Sequence, residues 1–493
     1  MTRVRISDDA LALACGADEV AAAFAAKGCM IERVSSWGMH WLEPLVDVDG
    51  IGFGPTTPAD VDAILVGDSP LSIGPIARHS FIVRQQRLTF ARAGKTRPLS
   101  VDDYATSGGW AGLDKARAMP ADAVIEQIIA SGLRGRGGAG FPAGIKWRTV
   151  ANAKAARKTI VCNADEGDSA TFADRMLMEG DPFQLIEGMA IAAIAVGADT
   201  GYIYVRSEYP HAIAKLAAAI DLCRDRIAPF TVEVRSGAGA YVCGEETALL
   251  NSLEGKRGEV RAKPPLPALE GLFGRPTIVN NVLTLAAVPH ILTQGAAHYA
   301  AIGSGRSKGT MPIQLAGNIR RGGLFEVPFG LSLGELVNDI GGGTASGRPV
   351  KAVQVGGPLG AYIHPDEFAL PFDYEAFAVA DALIGHGGIC VFDDSVDMAH
   401  MARFAMQFCA AESCGKCTPC RIGSVRGTEL LTKLSSGTAD EKTVALLREL
   451  CDLMQSASLC ALGGFTPYPV LSALNKWPED FGLPARAVIE ELA

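Results

Sequence analysis

No run of 18 or more apolar residues occurs in the 493 residues, whereas a helix that crosses a bilayer core needs about 20. The sequence therefore offers no membrane-spanning helix. The first thirty residues carry Asp8, Asp9, Asp18 and Glu19 where a secretory leader needs an apolar stretch, so an unexported, cytoplasmic protein is expected. Positive charge is also in short supply: 45 Lys and Arg face 54 Asp and Glu, a net charge of −9. Phosphate backbones attract basic faces, which argues against nucleic acid or an anionic membrane as the main partner. Repeats and low-complexity tracts are missing. With 48% hydrophobic residues the chain can bury several cores, and its length predicts three or four domains.

Twelve cysteines in an unexported chain are expected to stay reduced. Six of them, Cys409, Cys414, Cys417, Cys420, Cys451 and Cys460, fall in the last 85 residues, which suggests metal or redox chemistry. Cys414-x2-Cys417-x2-Cys420, followed by Cys460 in SLCALGG, places three thiolates together and a fourth on a separate segment. That pattern suits the corners of an iron–sulfur cube. Structural zinc, whose ligands usually come as two pairs, and a chance cluster are the alternatives. Cys409 and Cys451 lie on predicted helices and read as buried thiols.

Hydrophobic periodicity divides the chain into a multidomain α/β protein. Residues 1–105 form a small α/β unit, and from about 100 to 120 the pattern weakens into a connector to the next one. Residues 106–305 alternate helices with the β-branched runs KTIVCN, GYIYVRS and FTVEVRS, a Rossmann-like parallel order. Asp181-Pro182 is expected to open the helix DPFQLIEGMAIAAIAVG. Residues 306–395 hold short β-runs with one helix and suggest a β-grasp domain. Residues 396–493 are helical, with Thr438 and Glu441 as a capping box.

Gly135-Arg136-Gly137-Gly138-Ala139-Gly140 matches G-x-G-x-x-G, but it follows a helix and runs into Phe141-Pro142, so the dinucleotide fingerprint does not apply. Its glycines still let backbone N–H groups approach a flat ligand or a phosphate, with Arg136 and Lys146 supplying positive charge. A structural turn is the competing reading. Asn163, Asp165, Glu166 and Asp168 follow a strand, where parallel sheets gather ligands; a solvated turn is the bland alternative. Tyr241, Gly244, Glu245 and Glu246 stand between a strand and a helix, and the two acids could serve the helix dipole alone. Asn280, Asn281 and Thr284 open another helix, where they could cap it or reach a phosphate.

An iron–sulfur cluster passes single electrons and a nicotinamide passes two as hydride, so pairing them calls for a flavin. The motifs RGRGGAGFPAGIKW, NADEGD, GAYVCGEETALLNSLEG, KPP at 263–265, IVNNVLTL and ESCGKCTPCRIG together resemble the NADH-binding flavoprotein subunit of respiratory complex I. Relatives of that family serve NAD-reducing hydrogenases and formate dehydrogenases. The resemblance covers about 110–480. It implies FMN at Gly135, Arg136, Gly137, Gly138, Lys146, Asn163, Asp165, Glu166, Tyr241, Gly244, Glu245, Asn280, Asn281 and Thr284. NAD(H) as substrate would meet Phe141, Asp168 and Glu246, and a [4Fe–4S] cluster would sit on Cys414, Cys417, Cys420 and Cys460. Two aromatic positions of the family pattern read Thr149 and Leu266 here. No protein acid or base is expected in the hydride step.

WLEPLVDVDG and GFGPTTPADVDAIL resemble the thioredoxin-like [2Fe–2S] domain that accompanies these flavoproteins. Its cysteine pair reads Ser36-Trp37-Gly38-Met39-His40 here, and with only Cys15 and Cys29 left, a domain without a cluster is expected, kept for docking. Metal binding by His40 is an alternative. Residues 306–395 resemble the soluble-ligand-binding (SLBB) β-grasp family and are read as spacer and docking surface. The overall build is most similar to flavin subunits of soluble molybdenum-containing, NAD-dependent formate dehydrogenases. That implies a small thioredoxin-like [2Fe–2S] partner and a large molybdenum and iron–sulfur catalytic partner. A hydrogenase diaphorase, a complex I-type subunit and a cofactor-free scaffold are the other readings.

Overall fold

A computed structural model describes residues 1–435 and 441–484. The expected capping residue Thr438 lies outside the described residues.

The chain opens with β1 (Arg3–Ser7), two helices and β2 (Met30–Val34), followed by β3 (Val46–Val48), β4 (Ile51–Phe53) and β5 (Ser72–Pro75). The strand order is β2-β1-β3-β4-β5, with β1 and β2 parallel and the other pairs antiparallel. Alternation puts Val4 and Ile6 on one face, where Val20 and Phe24 of helix Ala17–Ala26 cover them. The stretch expected to be a weak connector is instead helical, at Val101–Thr106 and Ala111–Arg117. Buried Glu187 organises it, accepting from the Trp110 and Leu113 N–H groups and from the Tyr104 hydroxyl. A buried carboxylate with three donors holds two short helices whose apolar periodicity is too brief to read.

The central sheet contains β6 (Thr159–Ala164), β7 (Thr200–Val205), β8 (Thr231–Ser236) and β9 (Thr277–Asn281), all parallel, in the order β8-β7-β6-β9. Helices cover it, so Ile160, Val161 and Cys162 of β6 and Ile278 of β9 are buried without alternation. Asp181 occupies the N-cap position of helix Pro182–Val196 as expected, but its carboxylate pairs with Arg92 at 2.7 Å instead of capping.

A short hairpin, β10 (Gly303–Ser304) and β11 (Ser307–Lys308), leads into the third sheet. That sheet comprises β12 (Thr310–Gly317), β13 (Gly323–Pro328), β14 (Val350–Val355), β15 (Tyr362–Ile363) and β16 (Gly388–Asp393), ordered β13-β12-β16-β14-β15. Its core also takes in Trp37, Met39 and Phe81 of the N-terminal unit. The chain then runs through helices Met398–Glu412, Thr418–Ser435, Glu441–Ala457, Ala461–Phe465 and Pro467–Lys476, packed around Met406, Leu431, Met454 and Leu474. Among the described residues no helix is long and apolar enough to cross a membrane.

Candidate functional site

From β6 the chain steps outward through β7 and β8, then returns to β9 on the other side of β6. The carboxyl ends of β6 and β9 therefore flank a topological switch point, where parallel sheets bind ligands. The loop 135–140 closes over them. An ideal Cβ on Gly137 would stand 3.0 Å from Asn281 Cβ, and Gly138 and Gly140 have φ of +94° and +60°. Glycine is what permits so close an approach in that conformation.

Asn163 donates from Nδ2 to the Gly244 carbonyl at 2.8 Å, lacing β6 to the turn Tyr241–Gly244. Asp165 Oδ2 is buried with no partner, and burial pushes its carboxyl up to about 7, although Arg206 stands 3.9 Å from Oδ1. Asp174 Oδ1 is buried and unpartnered as well. An orphaned buried oxygen is costly unless a ligand donor meets it, so Asp165 Oδ2 fits a ring bearing an N–H group, as a flavin does. Asp168 accepts from the Tyr241 hydroxyl at 2.9 Å. Lys146 donates to Glu246 at 3.1 Å and to the Val279 carbonyl at 3.0 Å. Lys263 bridges Glu245 at 2.9 Å and Glu246 at 3.0 Å. Burial alone would raise the Glu246 carboxyl, but these two lysines hold it below its ordinary pKa. Phe141 is 51% exposed at the rim and Leu266 is 50% exposed.

Several expected side chains face inward. Arg136 is buried, not free to supply charge: its guanidinium donates to the Arg134 carbonyl, the Tyr299 hydroxyl and the Lys308 carbonyl and lies over the Phe329 ring. With acceptors on three sides inside, the guanidinium is better solvated there than in the loop mouth. Glu166 accepts the Asp174 and Arg175 N–H groups at 3.0 Å and so serves helix Ala173–Gly180. Glu245 accepts from Thr247 and Ala248 N–H as an N-cap. Asn280 accepts from Trp147 Nε1, Thr284 accepts the Arg136 N–H, and Asn281 caps helix Val282–Gln294. Gly135 is tied to the Phe141 carbonyl through its N–H.

Cys414 and Cys417 occupy the loop between two helices, Cys420 the first turn of the second, and Cys460 the N-cap of Ala461–Phe465. Gly415 turns the loop with φ +81°. Cys420 Sγ lies 3.7 Å from Cys409 Sγ, and Cys409 and Cys451 are fully buried on helices, as expected. Among the described residues no three His, Cys, Asp or Glu side chains converge tightly enough to hold a single ion. Three thiols on one loop and helix turn, with a fourth from a separate helix cap, suit a cube, which takes one ligand per corner. Tyr241 joins this region to the sheet: its N–H donates to Glu412 at 2.9 Å and its ring meets Phe408 edge-on at 5.0 Å.

Residues 128–290 match the Nuo51 FMN-binding domain and residues 400–483 the NADH-ubiquinone oxidoreductase-F iron-sulfur binding region. The NADP-reducing hydrogenase subunit HndC of Solidesulfovibrio fructosivorans is 44% identical over 81% of this chain and 83% of its own length. The second F-type NADH-quinone oxidoreductase protein of Rhizobium meliloti (strain 1021) is 42% identical over 77% and 92% of the two chains. The chain belongs to the F-type NADH-quinone oxidoreductase family. A crystal structure of an NAD⁺-reducing [NiFe]-hydrogenase aligns with 99% of this chain and 86% of its own, at 30% identity and a TM-score of 0.73.

As an F-type protein, the chain is an NADH, FMN and [4Fe–4S] diaphorase-type component of complex I-like or hydrogenase-like assemblies. Sequence reasoning missed three residues at its site. Lys263 heads the KPP run, whose letters give it no role, and Arg206 reaches Asp165 from the end of β7. His386 comes from the third sheet, 3.0 Å from Asp168. A lone histidine in the tract GHGG carries no local signal, and only the packing of sheet three on sheet two brings it here.

Proposed function

We propose that this chain is the NAD⁺-reducing component of a cytoplasmic formate dehydrogenase complex, receiving electrons from a molybdenum-bearing partner through its cysteine cluster. The turn Tyr241–Gly244 carries the electron-transfer part of the reading: Asn163 holds it at the flavin cradle, and Glu412 and Phe408 hold it beside the cluster loop. One rigid element thus serves both cofactors. FMN, when bound, takes two electrons as hydride and gives them singly. Gly135, Gly137, Gly138 and Gly244 would let backbone approach it, Asn163, Asp165 and Tyr241 would hold its ring, and the hydrogen bonds of Glu166, Glu245, Asn280, Asn281 and Thr284 brace the cradle. Phe141, Asp168 and Glu246 line the nucleotide side, where the protein's work is alignment. Cys414, Cys417, Cys420 and Cys460 hold the cluster. Cys414 borders a surface cleft of about 480 Å³ shared with Arg257, Glu259 and Arg421, which gives a partner protein access.

We divide the chain at 1–105, 106–305, 306–395 and 396–493. The parallel β1–β2 pair joined by helices supports a thioredoxin-like N-terminal domain, and the mixed third sheet supports a β-grasp. His40 is half-buried and its ring lies 4.6 Å from that of Phe172, which supports a packing role at the contact between the first two domains. Asp8 pairs with Lys215, the Ala10 N–H binds Glu179, and the Thr89 and Phe90 N–H groups bind Glu326.

Hydrogen is the second reading for the upstream donor, favoured by the hydrogenase relative and by the 99% alignment with the hydrogenase structure. The assembly purified anaerobically from its source should reduce NAD⁺ with formate. Reduction with hydrogen alone would replace formate by hydrogen, and FMN-replete protein unable to pass electrons from NADH to a dye would overturn the diaphorase role.

A further inference from the structure

The cradle needs a cation that the glycine loop does not provide. Arg136 is turned inward to Tyr299 and Lys308, and Lys146 is committed to Glu246 and the Val279 carbonyl. His386, two residues before β16, fills the gap. Its Nδ1 lies 3.0 Å from Asp168 Oδ2, and its Nε2 lies 3.4 Å from Asn281 Nδ2. An ideal Cβ on Gly137 would stand 3.6 Å from the same Nε2, so the ring borders the loop where glycine leaves room.

What faces Nε2 is decided by Asn281. Its Oδ1 accepts the Leu283 N–H at 2.9 Å as a helix cap, a bond that a flipped amide would lose, and its Nδ2 lies 2.6 Å from Asp174. A donor therefore confronts the imidazole. A neutral ring with its proton on Nδ1 could accept from that amide. A charged ring has Nε2–H pointing at an NH₂ group and needs an acceptor from elsewhere. Burial would lower the pKa of His386, but its hydrogen bond to Asp168 and the Asp168 charge hold it up, at about 9. The charged ring is the form at neutral pH.

We propose that His386 is the cationic partner of the FMN phosphate, donating its Nε2–H to a phosphate oxygen seated between Gly137 and the N-terminus of helix Val282–Gln294. The helix end and the glycine loop favour an anion there, and the partly buried imidazolium supplies the full charge. Asp168 is then the positioning residue that fixes the ring's orientation, as a carboxylate behind an imidazole does. The proposal rests on the FMN reading and adds the residue that selects for the phosphate.

The test uses the full-length protein, stripped of flavin and titrated with FMN and with riboflavin, which lacks the phosphate. His386→Gln should weaken FMN by about 10- to 100-fold, as expected for one charge-assisted hydrogen bond, and leave riboflavin unchanged. His386→Lys should recover most of the preference for FMN, and the ³¹P resonance of bound FMN should move in His386→Gln but much less in His386→Lys. An FMN-to-riboflavin preference equal in wild type and His386→Gln overturns the proposal, as does an equal loss of both flavins in His386→Gln and His386→Lys. Wild-type protein that takes up neither flavin overturns the flavin reading itself.

Discussion

Glu246 shows how one carboxylate can be held charged in a partly buried site. Lys146 and Lys263 each reach it, from a helix and from the KPP segment. Glu246→Gln removes the charge that both lysines neutralise, and the KM for NADH should rise about tenfold, the cost of one hydrogen bond to a charged group. Steady-state kinetics with a dye acceptor read this directly, and unchanged nucleotide kinetics would remove Glu246 from the site. Cys420→Ser should act on a different step. NADH-to-dye reduction should persist while the reduced-cluster EPR signal and electron delivery to partner proteins collapse; survival of both would take the cluster off the route. The cysteines were legible at this scale because their spacing is itself the chemical signal. The inward turn of Arg136 was not, since the residues that satisfy it, Tyr299 and Lys308, are more than 160 positions away.

Two nearly all-buried helices, Pro182–Val196 and Val282–Gln294, pack face to face behind the site, and their crossing depends on Gly188. An ideal Cβ there would stand 2.1 Å from the Leu285 carbonyl oxygen, a backbone atom that cannot yield by changing rotamer. Gly188→Ala should therefore destabilise by about 1–3 kcal/mol, the usual cost of overpacking, and release flavin more readily because Asn281 caps the displaced helix. Urea unfolding followed by flavin fluorescence measures both effects. Three of the four strands around these helices were readable from β-branched runs and lie where KTIVCN, GYIYVRS and FTVEVRS stand, whereas β9, only five residues long, was not read as a strand. The helices at 101–117 were not, because short segments held by a buried carboxylate lack the repeat on which periodicity depends.

At the scale of the whole molecule, the N-terminal unit encloses one buried acid, Glu43, and docks onto another, Glu179, through the Ala10 N–H. Burial and the charge of Asp9 push Glu43 up to about 8, and burial pushes Glu179 to about 7. A carboxyl with a raised folded pKa binds more protons folded than unfolded, so its contribution is complete at low pH and is lost as pH rises through the folded value. His40, lowered to about 4 by burial, acts in the opposite sense, but only below its ordinary 6.5. Between pH 6.5 and about 8 these carboxyls and His386, held at about 9, act in the same direction, and the unfolding midpoint of the full chain should fall with pH. Glu43→Gln should flatten that slope; an unaltered slope would assign it to other groups. The sequence by itself determined the local features: strands and helices whose periods repeat, glycines that permit close approach, and cysteines whose spacing names a cluster. Each of these is set by neighbours within a few residues. Only the tertiary structure decided which polar side chains face the cradle and which cap helices, that sheet three sends His386 to Asp168, and that the turn at Tyr241 spans flavin site and cluster loop. Those outcomes depend on burial and on partners far along the chain, where the lowest free energy satisfies every buried donor and acceptor at once.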